Sequence, residues 1–343
     1  MTEEPATNYE LMRDERRDER RDERTPSRRP GATAVPCLLT GLTLVAVATA
    51  VVGVRRLPTT VGQTALITAL EDVPVAISAS AEQRPIVMVH GIGDSSTNPG
   101  FASLCESARQ FTGAYVVCAP VANGWDSVTM SMRDQVQALA KLVKSDPKLA
   151  GGFHLIGFSQ GALTVRGYVE RHNRPPVRRL VSMVGPQAGV GACPLTAYPW
   201  LCQMWLLSPY SAPVAFAGYW KDVNDEPNYL KASPFLADIN NERDATNSSY
   251  AARMRSLELL VAVRALNDTT VVPNDSEHFG FWAWNGANAP AVPLRQTDGY
   301  RADAIGLRTL DESGRLRLLS YEGEHMRFSD AYWQSTILPI LKD

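Results

Sequence analysis

Residues 153–171 constrain the fold of this chain more than any other stretch. Phe153-His154-Leu155-Ile156 is a short apolar run of strand character, Gly157-Phe158-Ser159-Gln160-Gly161 follows it, and Ala162 to Arg171 has helix-forming composition. A strand, a G-x-S-x-G turn and a helix in that order describe a nucleophile elbow. Such a turn holds its serine in a strained backbone conformation with the hydroxyl projecting. Side chains larger than glycine two residues to either side would collide with the adjoining strand and helix. The first turn of the helix then aims free N–H groups at negative charge developing on a substrate. A bare G-x-S-x-G is a common chance turn; the flanking elements are what make Ser159 a candidate nucleophile.

The groups that activate such a serine come later in the chain, acid first and histidine last. Other apolar, β-rich runs are Ile86–Val89, Tyr115–Val117, Leu180–Val184, Leu259–Leu266 and Leu316–Tyr321. Met132, Val136, Leu139, Leu142 and Val143 recur at helical spacing within Met130–Lys144, and Asp146-Pro147 stops that helix. Strands alternating with helices predict an α/β fold, with a mostly parallel central sheet and helices on both faces. Of five histidines, His90, His154 and His172 precede or adjoin the elbow, and His278 sits midway. His325 lies in the turn Glu322-Gly323-Glu324-His325 after the last strand, where a general base for Ser159 is required. His90 is a competing base, although its place after an early strand suits an oxyanion-loop or structural role better. The acid belongs just beyond the penultimate strand. Asp268 follows that strand at once, and Asp275, seven residues on, is its rival.

The rest of the chain bears on setting rather than chemistry. With 343 residues, 45% of them hydrophobic, it can bury one large catalytic core. Outside residues 1–56 it holds 24 Lys and Arg against 27 acids, so no basic stripe exists for phosphates and nucleic-acid binding is disfavoured. Residues 1–30 repeat Arg-Asp-Glu-Arg from Arg13 to Arg24 and read as a charged, solvated tail. Residues 31–54 are 24 uncharged residues, enough to cross a bilayer, which takes about 20. A membrane anchor is favoured over a cleaved signal peptide, whose apolar core runs to about 7–15 residues; cleavage near Ala48-Thr49-Ala50 is the alternative. Six arginines between Arg13 and Arg24 favour a cytoplasmic N-terminus. A connector, 55–84, would then lead to a lumenal catalytic domain, 85–343. Three Asn-x-Ser/Thr sequons, at Asn247, Asn267 and Asn274, agree with that side of the membrane. Cys37 lies in the apolar run, and the other cysteines fall as two local pairs, Cys105/Cys118 and Cys193/Cys202. They are either reduced thiols or disulfides, and a secretory setting favours disulfides. None has zinc-site spacing, so neither a metal nor a cofactor is expected.

Taken together, these residues resemble the palmitoyl-protein thioesterases of the α/β-hydrolase superfamily. The matching stretches are Val89–Ser95 (VHGIGDS) with Asn98-Pro99, Ser145–Gly152, Gly157–Gly161, Tyr219–Asp222 (YWKD), Phe235–Arg243 (FLADINNER), Leu266–Phe281 and Glu322–His325. They keep the family's order over about three quarters of the chain. The resemblance implies an α/β-hydrolase fold in which Ser159 is nucleophile, His325 base and Asp268, rather than Asp275, the acid. It implies oxyanion-hole amides at Ile92 and Gln160, and a pairing of Cys193 with Cys202. Two departures stand out. Ser96-Thr97 occupy a place where the family often has two cysteines, and Val184–Gly189 differs from the family's glutamine- and histidine-containing version.

Residues 191–258, between the fourth and fifth strands, are too long for a simple crossover and rich in large apolar side chains. They are expected to form a helical lid whose inner face lines an acyl groove. The residues expected to face substrate are His90 and Gly91 at the oxyanion turn, Gln187, and Trp205 and Trp220 of the lid. The implied activity is removal of palmitate from S-acylated protein cysteines in a lysosomal or other endolysosomal lumen. Its substrates would be S-palmitoylated proteins or peptides, with acyl-CoA as a surrogate. An oxygen-ester lipase or carboxylesterase, and a non-catalytic lipid-binding protein of the same shape, are the alternative expectations. The N-terminus of the mature protein separates anchor from signal peptide. N-terminal sequencing should find the Arg-Asp-Glu-Arg tail retained, whereas a start near Val51 would show cleavage.

Overall fold

A computed structural model describes residues 83–193, 209–211 and 214–343. The charged tail, the apolar run 31–54, nearly all of the connector, and Cys37, Cys202 and Trp205 lie outside the described residues. Six strands form one sheet: β1 (Ile86–Val89), β2 (Val116–Cys118), β3 (Phe153–Phe158), β4 (Val177–Met183), β5 (Leu259–Ala265) and β6 (Leu316–Tyr321). Their order is β2-β1-β3-β4-β5-β6, and every neighbouring pair is parallel. Each strand expected from an apolar run is present, within a few residues of its expected ends. The central runs are apolar without alternation because both faces of a parallel sheet are covered, whereas β6, at the edge of the described sheet, carries exposed Arg317 and Ser320.

The helices that cover it are α1 (Pro99–Thr112), α2 (Met132–Ser145), α3 (Gln160–Arg171), α4 (Glu226–Ala232), α5 (Leu236–Ile239), α6 (Ser248–Arg255) and α7 (Leu307–Glu312). Strand side chains alternate between the two layers. Val87, Leu155, Leu180 and Leu260 pack against Leu139 and Val143 of α2, Val165 and Val169 of α3, Met254 of α6 and Leu310 of α7. Ile86, Met88, Ile156, Val181 and Val261 face the other way, onto Phe101 and Ala108 of α1 and onto Trp333, Ile337 and Leu341 near the C-terminus.

A parallel sheet delivers all its strand carboxyl ends to one edge, and ligands bind outside that edge. Here β1 runs into His90, β3 into Ser159, β5 into the loop holding Asp268, and β6 into the turn holding His325. Residues more than a hundred positions apart are thereby brought together before any side-chain chemistry is considered. This is the α/β-hydrolase fold.

The segment between β4 and β5 contributes α4, α5 and α6 among the described residues. Tyr229, Phe235, Leu236 and Ile239 pack onto Met132 and Val136 of α2 and Leu163 of α3, so this part leans on the layer that carries the elbow. By contrast, α6 sends Met254 into the core beneath the sheet. Among the described residues, no helix is long and apolar enough to cross a membrane.

Cys105 of α1 and Cys118 of β2 form a disulfide across 13 residues, and Cys193 is also disulfide-bonded. The first bridge clips the edge strand to the helix that covers it. Closing a loop of that length stabilises a fold by about 3 kcal/mol on chain-entropy grounds. Replacing Cys105 and Cys118 together by alanine should remove about that amount, read as a lower urea midpoint with a slope no smaller than the parent's, since the released unfolded chain exposes more surface.

Candidate active site

The elbow is built by backbone crowding. Ser159 sits at the end of β3 with φ 52° and ψ −124°, in the left-handed region where a non-glycine residue costs on the order of 1–3 kcal/mol. Its N–H donates to Met183 O on β4 at 2.8 Å, and its carbonyl accepts from Ala162 N at 2.9 Å. A Cβ on Gly157 would lie 2.4 Å from Gly161 O, and one on Gly161 would lie 2.3 Å from His90 O. Only glycine lets α3 start this close to β1 and β3, which is the physical content of the G-x-S-x-G pattern. Ser159 occupies the N-cap position of α3, yet its side chain makes no capping bond. The hydroxyl is turned to His325 instead.

Ser159 Oγ lies 2.8 Å from His325 Nε2, and His325 Nδ1 lies 2.5 Å from Asp268 Oδ2. The second oxygen, Oδ1, accepts from the backbone N–H of Thr270 at 2.6 Å and of Val271 at 3.0 Å. A carboxylate with its lone pairs spent this way is a pure acceptor. Nδ1 therefore carries its hydrogen toward Asp268, and Nε2 is left to accept from the serine hydroxyl. Burial pushes the Asp268 carboxyl upward, but hydrogen bonds from His325, Glu277 and Val271 outweigh it and hold the group below its ordinary value. The His325 ring keeps 16% of its side chain exposed while Asp268 keeps none, so the base is reachable from outside and its acid is sealed.

The structure brings Ser159, His325 and Asp268 together and leaves the rival groups elsewhere. Asp275 is held by Arg264 at 2.7 Å. His90 is spent locally, with Nδ1 2.9 Å from Gly91 O and Nε2 3.1 Å from Asn123 Oδ1, and its ring stands edge-on to Phe101. His278 lies 2.8 Å from Leu319 O. Asp268, Glu277 and His325 present donor atoms within 4.8 Å of one another. The 2.5 Å Nδ1–Oδ2 contact fits a shared proton rather than a cation between those two atoms.

The turn after β1, holding Ile92, is tied down by residues that the sequence reading passed over. Gly93 N donates to Ser127 Oγ at 2.6 Å, Gly124 N to Asp94 O at 2.7 Å, and Ser96 N to Asn123 Oδ1 at 2.9 Å. Gln160 Nε2 donates to Ser127 O at 2.8 Å, and Tyr219 Oη donates to Gln160 Oε1 at 3.0 Å. Ser127 thus touches both the turn after β1 and the first residue of α3, and Tyr219 links the segment after β4 to the residue next to Ser159. The Asn123-Gly124 turn dipeptide was the one sequence signal for this loop.

Of the residues expected to face substrate, Gly91 abuts the nucleophile, since a Cβ there would lie 3.0 Å from Ser159 Cβ. Gln187 is buried beneath α3, donating to Ser182 Oγ at 2.8 Å. Trp220 is also buried, with its backbone bridged to Val190. Trp205 lies outside the described residues. A cavity of about 420 Å³ bounded by Arg264, His278, Leu294 and Leu318 includes none of the three triad residues.

Residues 85–325 match the family described as palmitoyl protein thioesterase. Palmitoyl-protein thioesterase 3 of Dictyostelium discoideum is 39% identical over 283 residues, covering 79% of this chain and 96% of that protein. Palmitoyl-protein thioesterase 1 of Caenorhabditis elegans is 35% identical, covering 72% and 88%. The lysosomal thioesterase PPT2 homolog of Drosophila melanogaster is 32% identical, covering 70% and 85%.

If the Asp268–His325 bond sets the tautomer, Asp268→Asn should slow labelling of Ser159 by a fluorophosphonate probe by about 10⁴-fold. Asp275→Asn should leave the labelling rate unchanged, and equal effects of the two would remove the distinction drawn between them.

Proposed function

The chain belongs to the palmitoyl protein thioesterase family, and on that premise we propose how its residues remove palmitate from protein thioesters. It is a hydrolase of the α/β-hydrolase superfamily that acts on acylated proteins. The observation that carries the mechanism is the continuous pair of contacts from Ser159 Oγ to His325 Nε2 at 2.8 Å and from His325 Nδ1 to Asp268 at 2.5 Å.

In the first half-reaction His325 Nε2 takes the hydroxyl proton as Ser159 Oγ bonds to the thioester carbonyl carbon. The carbonyl oxygen gains the negative charge and is received by the backbone amides of Ile92 and Gln160. Gln160 is the first residue of α3, where an N–H has no carbonyl partner within its own helix. Each such donor contributes on the order of 10²–10³ in kcat. The C–S bond then breaks, the cysteine sulfur takes the proton from His325, and an acyl-Ser159 ester remains. Water, deprotonated by the same nitrogen, attacks that ester; the bond from the acyl carbon to Ser159 Oγ breaks, His325 Nε2 returns the proton to Oγ, and the fatty acid is released. A thiolate leaves readily, so stabilising the oxyanion and binding the acyl chain matter more here than protonating the leaving group.

Binding a long acyl chain contributes about 0.8 kcal/mol per buried CH₂, and the aromatic-rich segment after β4 is the natural source of such a surface. Acyl-CoA, which presents the same thioester, serves as a surrogate substrate. Related proteins of Drosophila melanogaster and Mus musculus, among others, are named lysosomal thioesterases, and a lysosomal setting is the reading we adopt. Exposed Asn247 and Asn267 are the glycan acceptors that fit it. Asn274 is disfavoured, because its side-chain amide donates to Ala265 O and Leu266 O. Residues 31–54 would tether the enzyme to the membrane with the catalytic domain lumenal.

The test uses palmitoyl-thioester and palmitate-ester probes of matched chain length. The thioester should be turned over faster by the full chain, and Ser159→Ala should abolish turnover while still binding acyl chains. Faster ester turnover would make the enzyme a lipase or carboxylesterase, and activity surviving in Ser159→Ala would remove the nucleophile assigned here.

A further inference from the structure

Next to the Asp268–His325 pair sits a carboxyl group that the mechanism above does not use. Glu277 lies in the short helical turn Asn274–His278, and its side chain is fully buried. Oε2 accepts the Ala265 N–H at 2.8 Å. Oε1 stands 4.0 Å from His325 Nδ1, and no N–H group of the described residues reaches it. The Glu277 carboxyl is side by side with that of Asp268, with oxygen atoms of the two within 4.8 Å of each other.

Two carboxylates in contact in a buried space do not both ionise unless a cation lies between them. The charged and titratable groups around Glu277 supply none. Arg264 of β5 is turned to Asp275 at 2.7 Å. Tyr321 of β6 donates to Glu324 O. On the Glu277 turn itself, Asp275 adds negative charge and His278 is engaged by Leu319 O. His325 already serves Asp268. One proton is therefore held by the pair of acids, and the donors decide which acid holds it. Asp268 receives the Thr270 and Val271 N–H groups and His325, whereas Glu277 receives Ala265 alone. Negative charge belongs on the acid with more donors. Burial first, and Asp268 second, push Glu277 up to about 11.

We propose that Glu277 is a positioning residue for the triad: its neutral carboxyl group, anchored on Ala265 N–H, donates from Oε1 to the Asp268 carboxylate and keeps that carboxylate facing His325. It acts only through Asp268 and exchanges no proton during turnover. The proposal rests on the triad reading given above.

The experiment compares the full chain with Ser159→Ala, Glu277→Gln and Glu277→Met, using an S-palmitoyl peptide as substrate. Ser159→Ala reports on the triad alone; turnover in that variant would sink the triad reading whatever the Glu277 variants do. A glutamine offers an N–H to Asp268 and a carbonyl to Ala265, as a neutral glutamic acid does, so Glu277→Gln should keep kcat close to that of the parent. Glu277→Met should lower kcat by about 10- to 100-fold at unchanged KM, the loss of one hydrogen bond to a charged group. A second readout is stability against pH. The unfolded chain releases this proton near 4.5, while the native chain holds it to about 11. Stability from this group is therefore lost progressively as pH rises above 4.5, and Glu277→Gln abolishes that loss. The urea midpoint of Glu277→Gln relative to the parent should climb between about pH 5 and about pH 8. Loss of kcat in Glu277→Gln equal to that in Glu277→Met, parental kcat in Glu277→Met, or a midpoint difference flat with pH would each overturn the proposal. If Glu277→Met does not fold, Glu277→Gln decides through kcat and the pH series.

Discussion

The contact on which the site depends is the one between the first turn of α3 and the end of β1. Gly161 meets His90 O so closely that a single added carbon would stand 2.3 Å from it. This close approach joins the elbow to the turn that carries Ile92, so the proposed nucleophile and the proposed oxyanion donors belong to one rigid unit. Ser127 reinforces it from the side, touching Gly93 through its hydroxyl and Gln160 through its carbonyl. Rigidity matters because oxyanion stabilisation requires donors aimed in advance at the position where charge develops. Backbone groups held by packing meet that condition better than mobile side chains.

Around this unit the protein keeps several charges away from water, and their partners explain why that is tolerated. Arg166 of α3 is fully buried and donates to Gln187 O at 3.0 Å and Asn240 Oδ1 at 2.8 Å, with Glu170 Oε1 3.5 Å away. It ties the helix behind the nucleophile to the segment beyond α5. Burial pushes Glu170 up to about 8, against the pull of Arg166. For a carboxyl raised in this way, stability is fully present below the unfolded value and is lost as pH climbs through the folded one. Asp268, Asp303, Asp311 and Asp343 are lowered, and their contribution runs the other way, lost as pH falls. Raised buried glutamates and lowered partnered aspartates thus pull the pH of maximal stability in opposite directions.

Much of this architecture is legible without coordinates. Six apolar runs mark six strands because both faces of a parallel sheet demand apolar residues. Gly157 and Gly161 mark the elbow because backbone meets backbone there. His325 follows from chain order, as the one histidine beyond the last strand. The choice between Asp268 and Asp275 is different. Both lie just after β5, and residue types alone leave them open; the family resemblance points to Asp268, and the coordinates show the reason, with Asp275 bound to Arg264. Gln187 and Trp220, expected near substrate, are both buried. Ser127 and Tyr219 went unassigned because their partners are 33 and 59 residues away, and Glu277 because a carboxyl in a loop carries no local signal of the acid it meets.

What the sequence determined by itself is what depends on neighbours along the chain: strand and helix periodicity, the strained turn at Ser159, and the order in which acid and base appear. What only the tertiary structure decided is which distant groups share a proton. His325 meets Asp268 across 57 residues and Ser159 across 166, and Glu277 joins them through a buried space no periodicity encodes. Hydrogen bonds require approach to about 3 Å, and for residues so far apart only the packing of the sheet and its layers sets that distance.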